Sequence, residues 1–268
     1  MAERLIAYVD GFNLYYGLHD LAGTRLLWLD LVKLAEDLRP RSDVVCVRYF
    51  TAPVLNQPKA ASRQQEYQDA LVAVHGDRIA ITHGRYQAKT RTCRACGATW
   101  TAHEEKETDV NIAVSLVSDA AEGQMDAALL ISADSDLAPA VRAARHVHPR
   151  LFIAAAFPPR RYSAELKNLM PASFPIGRNK IKGALLPHEI VGPVRTYRRP
   201  GKWTPEAKRP ASRTEWPSRH RSLAGQHHSR PGWSAGLQLR SRSAATCAAA
   251  RCCTGWAGPS KPGAAPRW

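Results

Sequence analysis

Apolar residues in this chain alternate between two textures. Short runs rich in apolar and β-branched residues occur at Leu5-Ile6-Ala7-Tyr8-Val9 and at residues 44–50, 79–86, 127–132 and 151–157. Between them, apolar residues recur at helical intervals: in Leu31–Leu38, closed by Arg39-Pro40; in 60–75, through Tyr67, Leu71 and Val74; in Thr108–Ala121, through Val110, Ile112, Ala113, Leu116 and Val117; and in 137–146. A short run of this kind bounded by turn residues suits a strand covered on both faces, and the longer period suits a helix with one buried stripe. Strands alternating with helices predict an α/β fold with a mainly parallel sheet. After about Trp203 the pattern disappears and Pro, Ser, Ala, Arg and Gly dominate. The expected organisation is therefore a domain over 4–203 and a low-complexity, disordered tail over 204–268.

Ligands of parallel sheets bind beyond the carboxyl ends of the strands, which is where this chain places its acids. The first strand runs into Asp10, followed by Gly11-Phe12-Asn13, and the fourth runs into Ala133-Asp134-Ser135-Asp136 ahead of a helix. Glu107-Thr108-Asp109-Val110-Asn111 opens the long apolar helix, and packing of that helix on the sheet points Asp109 at the same edge. Each residue alone also has a structural reading. Asp10-Gly11 is a turn dipeptide, and Thr108, Asp109, Ser135 or Asp136 suits a helix N-cap. Together, several carboxylates at one edge repel one another unless a divalent cation lies among them. Hard oxygen ligands suit Mg²⁺ or Mn²⁺, which activate water for phosphodiester hydrolysis, with Asn13 placed to orient that water or a phosphate. A phosphatase using a nucleophilic aspartate needs a second aspartate two residues on; Asp10 lacks it, and Asp134-Ser135-Asp136 stands late in the fold.

Three segments resemble the motifs of the NYN domain, in order and spacing like the LabA-like branch of the PIN-like nucleases: Tyr8-Val9-Asp10-Gly11-Phe12-Asn13-Leu14, Lys106-Glu107-Thr108-Asp109-Val110-Asn111 and Ile131-Ser132-Ala133-Asp134-Ser135-Asp136-Leu137. Relatives often carry glycine where Ala133 stands, a difference that moves no carboxylate. The resemblance implies a three-layer α/β/α sandwich, a Mg²⁺- or Mn²⁺-dependent ribonuclease, RNA as partner and a homodimer. It assigns Asp10, Asp109, Asp134 and Asp136 to a metal-holding cluster, with Asn13 and Ser132 as polar supports and Lys106 as a phosphate contact. A PIN-like RNA-binding or regulatory module without cleavage is the alternative.

Cys93-Arg94-Ala95-Cys96-Gly97 reads as half a zinc knuckle in a turn-rich insert over about 83–103. Structural zinc takes four ligands, which His83, Cys93, Cys96 and His103 would supply; two ordinary reduced thiols explain the pair equally well. Arg85, Lys89, Arg91 and Arg94 surround the insert, and Arg160, Arg161 and Tyr162 follow the last strand. Such residues beside a metal site suit a phosphate backbone and an unpaired base, or else form a solvated face. Trp100 suits stacking on a base or packing of the knuckle.

The net charge of +15 is uneven, since residues 204–268 hold 11 Lys and Arg against 2 Asp and Glu. This favours a polyanionic partner for the tail, although solubility or an out-of-frame translation of a GC-rich gene also produces such composition. No apolar run approaches the roughly 20 residues of a membrane span, the N-terminus lacks the apolar core of a signal peptide, and six cysteines in a chain this long suggest no disulfide framework. The expected compartment is the cytoplasm.

Overall fold

The computed structural model describes residues 2–94 and 96–204, apart from the side chains of His103 and Glu105. The expected tail, except Thr204, lies outside the described residues. The chain begins with β1 (Glu3–Asp10), α1 (Gly11–Ala22), α2 (Leu31–Leu38), β2 (Ser42–Thr51), α3 (Pro58–His75) and β3 (Ile79–His83). Next come β4 (Arg85–Thr92), β5 (Thr99–Lys106), α4 (Thr108–Ala121), β6 (Ala127–Ile131), α5 (Ala138–Val147) and β7 (Phe152–Phe157). Smaller pieces follow: α6 (Ala164–Leu169), β8 (Phe174–Pro175), α7 (Arg178–Gly183), β9 (Glu189–Val191) and β10 (Thr196–Arg198).

Six strands form one sheet in the order β3-β2-β1-β6-β7-β8, and every pairing in it is parallel. Leu5, Ala7 and Val9 of β1 pack toward the layer holding α1, α2, α3 and α7, while Ile6 and Tyr8 pack toward α4, α5 and α6. This explains why the strand run is apolar without alternation: both faces are covered. The expected α/β class with helices on both sides of a parallel sheet is what the chain forms.

Several elements differ from the expectation. The run at 79–86 breaks at Gly84, whose N–H donates to Thr51 O (2.7 Å), and the chain leaves the main sheet to build β4 and β5 as a separate two-stranded sheet. The insert is thus largely a ribbon. Helix α1 begins directly after Asp10, a place that reads as a turn because Gly11 and Gly17 weaken the helical signal. Both glycines are demanded by close packing. A Cβ on Gly11 would lie 2.5 Å from Phe50 O, and one on Gly17 would lie 2.8 Å from Pro159 O. Val110 was expected inside but is 61% exposed, because the stripe of α4 that meets the sheet runs through Ile112, Leu116 and Ala120. Trp203 is fully buried against Trp28 and Tyr67, with ring centroids 6.3 and 6.0 Å away.

One polar knot ties α4 to the sheet. Asp119 accepts a hydrogen bond from the Tyr8 hydroxyl at 2.6 Å and a two-pronged contact from the Arg48 guanidinium, also at 2.6 Å. Tyr8 and Arg48 are register partners on β1 and β2, so one helical carboxylate satisfies two neighbouring strands. Asp119 and Tyr8 are buried, and removing the carboxylate would strand both donors. Asp119→Ala should cost roughly 2–3 kcal/mol, below the full penalty of a buried pair because Arg48 retains some contact with water. Urea unfolding is the measurement; an unchanged midpoint would show the knot to be dispensable.

Candidate active site

Strand order reverses between β1 and β6: successive strands are laid down outward from β1 on one side as β2 and β3, and on the other as β6, β7 and β8. Such a switch point leaves a crevice at the carboxyl ends of the two central strands. Asp10 is the last residue of β1, and Ser132 to Asp136 follow β6. Parallel pairing of Val9 with Ile131 brings the two ends level.

Asp10 is 3% exposed and both its oxygens are engaged. Oδ1 accepts the Asn13 backbone N–H at 2.9 Å, which also caps α1, and Oδ2 accepts the Ser132 hydroxyl at 2.8 Å. Ser132 Oγ in turn accepts the Asp134 N–H at 3.0 Å. The Asn13 side-chain oxygen accepts the Ala133 N–H at 3.2 Å, and Asp134 Oδ1 accepts the Asp136 N–H at 3.0 Å. Asp10, Asn13, Ser132 and Asp134 therefore form one linked unit across the crevice.

Burial pushes the Asp10 carboxyl up to about 6; the hydrogen bonds from the Asn13 N–H and the Ser132 hydroxyl oppose this, and the negative charge of Asp134 adds to it. Tyr49, one strand over, is buried near Asp10, and the loss of water drives its phenol well above the ordinary range. The sequence pattern singles out neither Tyr49 nor the close approach at Gly11. The dipeptide Asp10-Gly11 held the signal for the second, in the form of a glycine that no turn explains.

The remaining candidates are more dispersed. Asp109 is exposed in the first turn of α4, and Asp136 is exposed in the short turn before α5. Among the described residues, no three His, Cys, Asp or Glu side chains are gathered closely enough to hold a metal ion. The structure links Asp10 and Asp134 but does not draw the four aspartates into such a group.

For the zinc ligands, His83 Nε2 is within 3.0 Å of Gln68 Oε1, and the His103 side chain lies outside the described residues. Cys93 and Cys96 form no disulfide and belong, with Thr92–Thr99, to a second compact unit. Within it the Gly97 N–H bonds Cys93 O at 2.9 Å, and Gly97 takes a left-handed φ of 71°, closing a tight turn.

The cations of the ribbon are largely committed to neighbouring acids. Arg85 pairs with Glu107, while Arg91, Lys89 and Lys106 converge on Glu104. Arg161 pairs with Asp20 at 2.6 Å and stands over the Tyr16 ring. Arg160 is exposed and held in a left-handed conformation at φ 59°, just past the end of β7.

A doubly wound parallel sheet with a buried carboxylate at its switch point defines the class: an α/β protein with a polar, anionic crevice at the carboxyl edge. The NYN domain model matches residues 4–174, and the chain belongs to that family, whose nuclease-like function places it in the PIN superfamily. The chain is also similar to 6-hydroxy-3-succinoylpyridine 3-monooxygenase HspA of Pseudomonas putida (strain DSM 28022 / S16), with 32% identity over 177 residues. That match covers 53% of this chain and 55% of the relative, so the chain spans about half the relative's length. Among solved structures, a protein of unknown function from Vibrio parahaemolyticus RIMD 2210633 matches at 20% identity with a TM-score of 0.43, over 66% of this chain and 95% of that one.

The raised Asp10 value has a thermodynamic consequence. Its folded pKa of about 6 lies above the ordinary carboxylate value, so the native state binds this proton more tightly than the unfolded state. The cost of burying the charge is absent below about pH 4 and complete above about pH 6, reaching on the order of 2–3 kcal/mol. Asp10→Asn removes this titration. In EDTA, the stability of the native chain relative to the variant should fall as pH rises through that window. A difference that stays constant from about pH 4 to about pH 7 would show that Asp10 is not desolvated.

Proposed function

We propose that the chain is a divalent-metal-dependent ribonuclease of the LabA-like branch, hydrolysing RNA phosphodiester bonds at the crevice between β1 and β6. The observation that carries this reading is the buried Asp10 carboxylate at the switch point, close enough to Asp134 for the two charges to oppose each other. Such a pair is costly in the absence of a cation. Mg²⁺ is commonly held by one or two carboxylates with water completing its shell, so Asp10 and Asp134 fit it without a closed four-aspartate cage. Mn²⁺ suits the same hard oxygens. When bound, such an ion supplies an activated water and stabilises the leaving oxygen.

The chain's own groups prepare the site. The Ser132 hydroxyl and the Asn13 N–H hold the two Asp10 oxygens in place, and the Asn13 side chain binds the end of β1 to the loop after β6. Asp109, on the first turn of α4, is the third carboxylate in this reading. Arg160 is the phosphate contact, because Arg161 and Lys106 are already paired with acids. The domain is taken as 4–203, with Trp203 closing the core.

The Pseudomonas putida relative's name favours a second reading, mono-oxygenation of a hydroxylated pyridine ring. The two readings separate in one set of assays on the full chain. Labelled mixed-sequence RNA should be cut with Mn²⁺ or Mg²⁺ and not in EDTA. Asp134→Asn should lower the rate on the order of 10²–10³-fold while leaving RNA affinity intact. Binding without cutting in any metal would instead mark a non-catalytic RNA-binding module. Oxygen uptake that requires 6-hydroxy-3-succinoylpyridine and a supplied two-electron reductant, in the absence of RNA cleavage, would favour the oxidative reading.

A further inference from the structure

Between α4 and α5 runs a cleft of about 450 Å³, its walls formed by Ala113, Val114 and Val117 of α4 and Pro139 and Ala143 of α5, with Asp136 among them. Its size falls within the range of small-molecule sites, and its walls are mostly apolar, with Ser118 and Asp136 as the polar residues. Val114 is 58% exposed there, and Val110, one turn earlier, is 61% exposed. Neither residue serves the core, and β-branched side chains are not what a solvated helix face selects.

Asp136 contributes the cleft's charged group. Its backbone N–H is fixed by Asp134 Oδ1 at 3.0 Å, whereas its carboxylate has no hydrogen-bond or ion-pair partner among the described residues. The arrangement is an acceptor pair in a largely apolar cleft. The same turn carries Asp134, two residues away and therefore within about 7 Å along the backbone. A strand whose phosphate lies at Asp134 would bring a neighbouring base to this slot.

Of the four RNA bases, guanine matches a carboxylate best. Its Watson–Crick edge presents two adjacent donors, the N1–H and the N2 amino group, to the two oxygens. Adenine and cytosine place a ring acceptor beside their amino group, and the N3–H of uracil lies between two carbonyls, so a carboxylate meets repulsion in each case. We propose that the cleft between α4 and α5 is a base subsite that receives guanine, with Asp136 reading its N1–H and N2 amino group. The inference rests on the ribonuclease reading and gives Asp136 a task in specificity rather than in holding metal.

The test is titration of the full chain, in EDTA, with the 5′-monophosphates of guanosine, adenosine, cytidine and uridine, followed by calorimetry. Guanosine monophosphate should bind about 10–100-fold more tightly than the others. Asp136→Asn should abolish that preference, because an amide replaces one acceptor with a donor. Ala143→Phe, at an exposed position of α5, should fill the slot and weaken all binding, with unchanged thermal melting showing that the fold is intact. Equal binding of the four nucleotides, or a guanine preference that survives Asp136→Asn, overturns the proposal. Guanine-selective binding in a chain that cuts no RNA would sink the ribonuclease reading and leave the subsite standing. Metal-dependent cutting without guanine selectivity would do the reverse.

Discussion

The architecture turns on one electrostatic constraint, a carboxylate buried at the end of the central strand. Asp10 is removed from water at the point where the sheet changes winding direction, and a buried charge needs compensation. Part of it comes from the first turn of α1, through the Asn13 N–H, and part from the loop after β6, through the Ser132 hydroxyl. Helix α1 must therefore start without any intervening loop. Only glycine at position 11 allows the helix to begin so close to the Phe50 carbonyl. The rest of the crevice follows from that start: Asn13 reaches Ala133, Ser132 reaches Asp134, and Asp134 holds the turn that displays Asp136.

Away from the crevice, the same economy recurs in the knot of Tyr8, Arg48 and Asp119. It anchors the far end of α4 to β1 and β2, so the helix bearing Asp109 at its start is held by both packing and charge. The exposed valines at 110 and 114 then have no part in that attachment, and their position along the cleft is a surface property of α4. The basic residues sort themselves similarly. Arg85, Lys89, Arg91 and Lys106 of the ribbon are paired with Glu104 or Glu107, whereas Arg160, in its left-handed turn just past β7, is exposed.

Much of this was legible beforehand. The runs at 5–9, 44–50 and 127–132 revealed three central strands because they are short, apolar and bounded by turn residues, as a strand covered on both faces requires. Asp10 and Asp134 were candidates because they follow those runs closely, Asn13 because it stands three residues after Asp10, and Ser132 through the resemblance to the family motif. Helix α1 was hidden because its two glycines serve contacts with β2 and with Pro159, residues far away in sequence. The break at Gly84 was hidden because β4 follows β3 directly as extended chain, and extended texture does not show which sheet a strand joins. The outward turn of Val110 was equally invisible, since apolar spacing shows that a stripe exists without showing which of several apolar residues face the sheet.

The chain's linear order by itself determined the class of fold, the family motifs and which acids end strands, because these depend on local periodicity and on what immediately follows it. The tertiary structure alone decided which acids meet. The strand order brings Asp10 level with the loop after β6 and removes it from water, while Asp136, two residues beyond Asp134, is directed to the cleft between α4 and α5. Burial and hydrogen bonding join residues 122 positions apart, as with Asp10 and Ser132, and such proximity is a property of packing that no local pattern encodes.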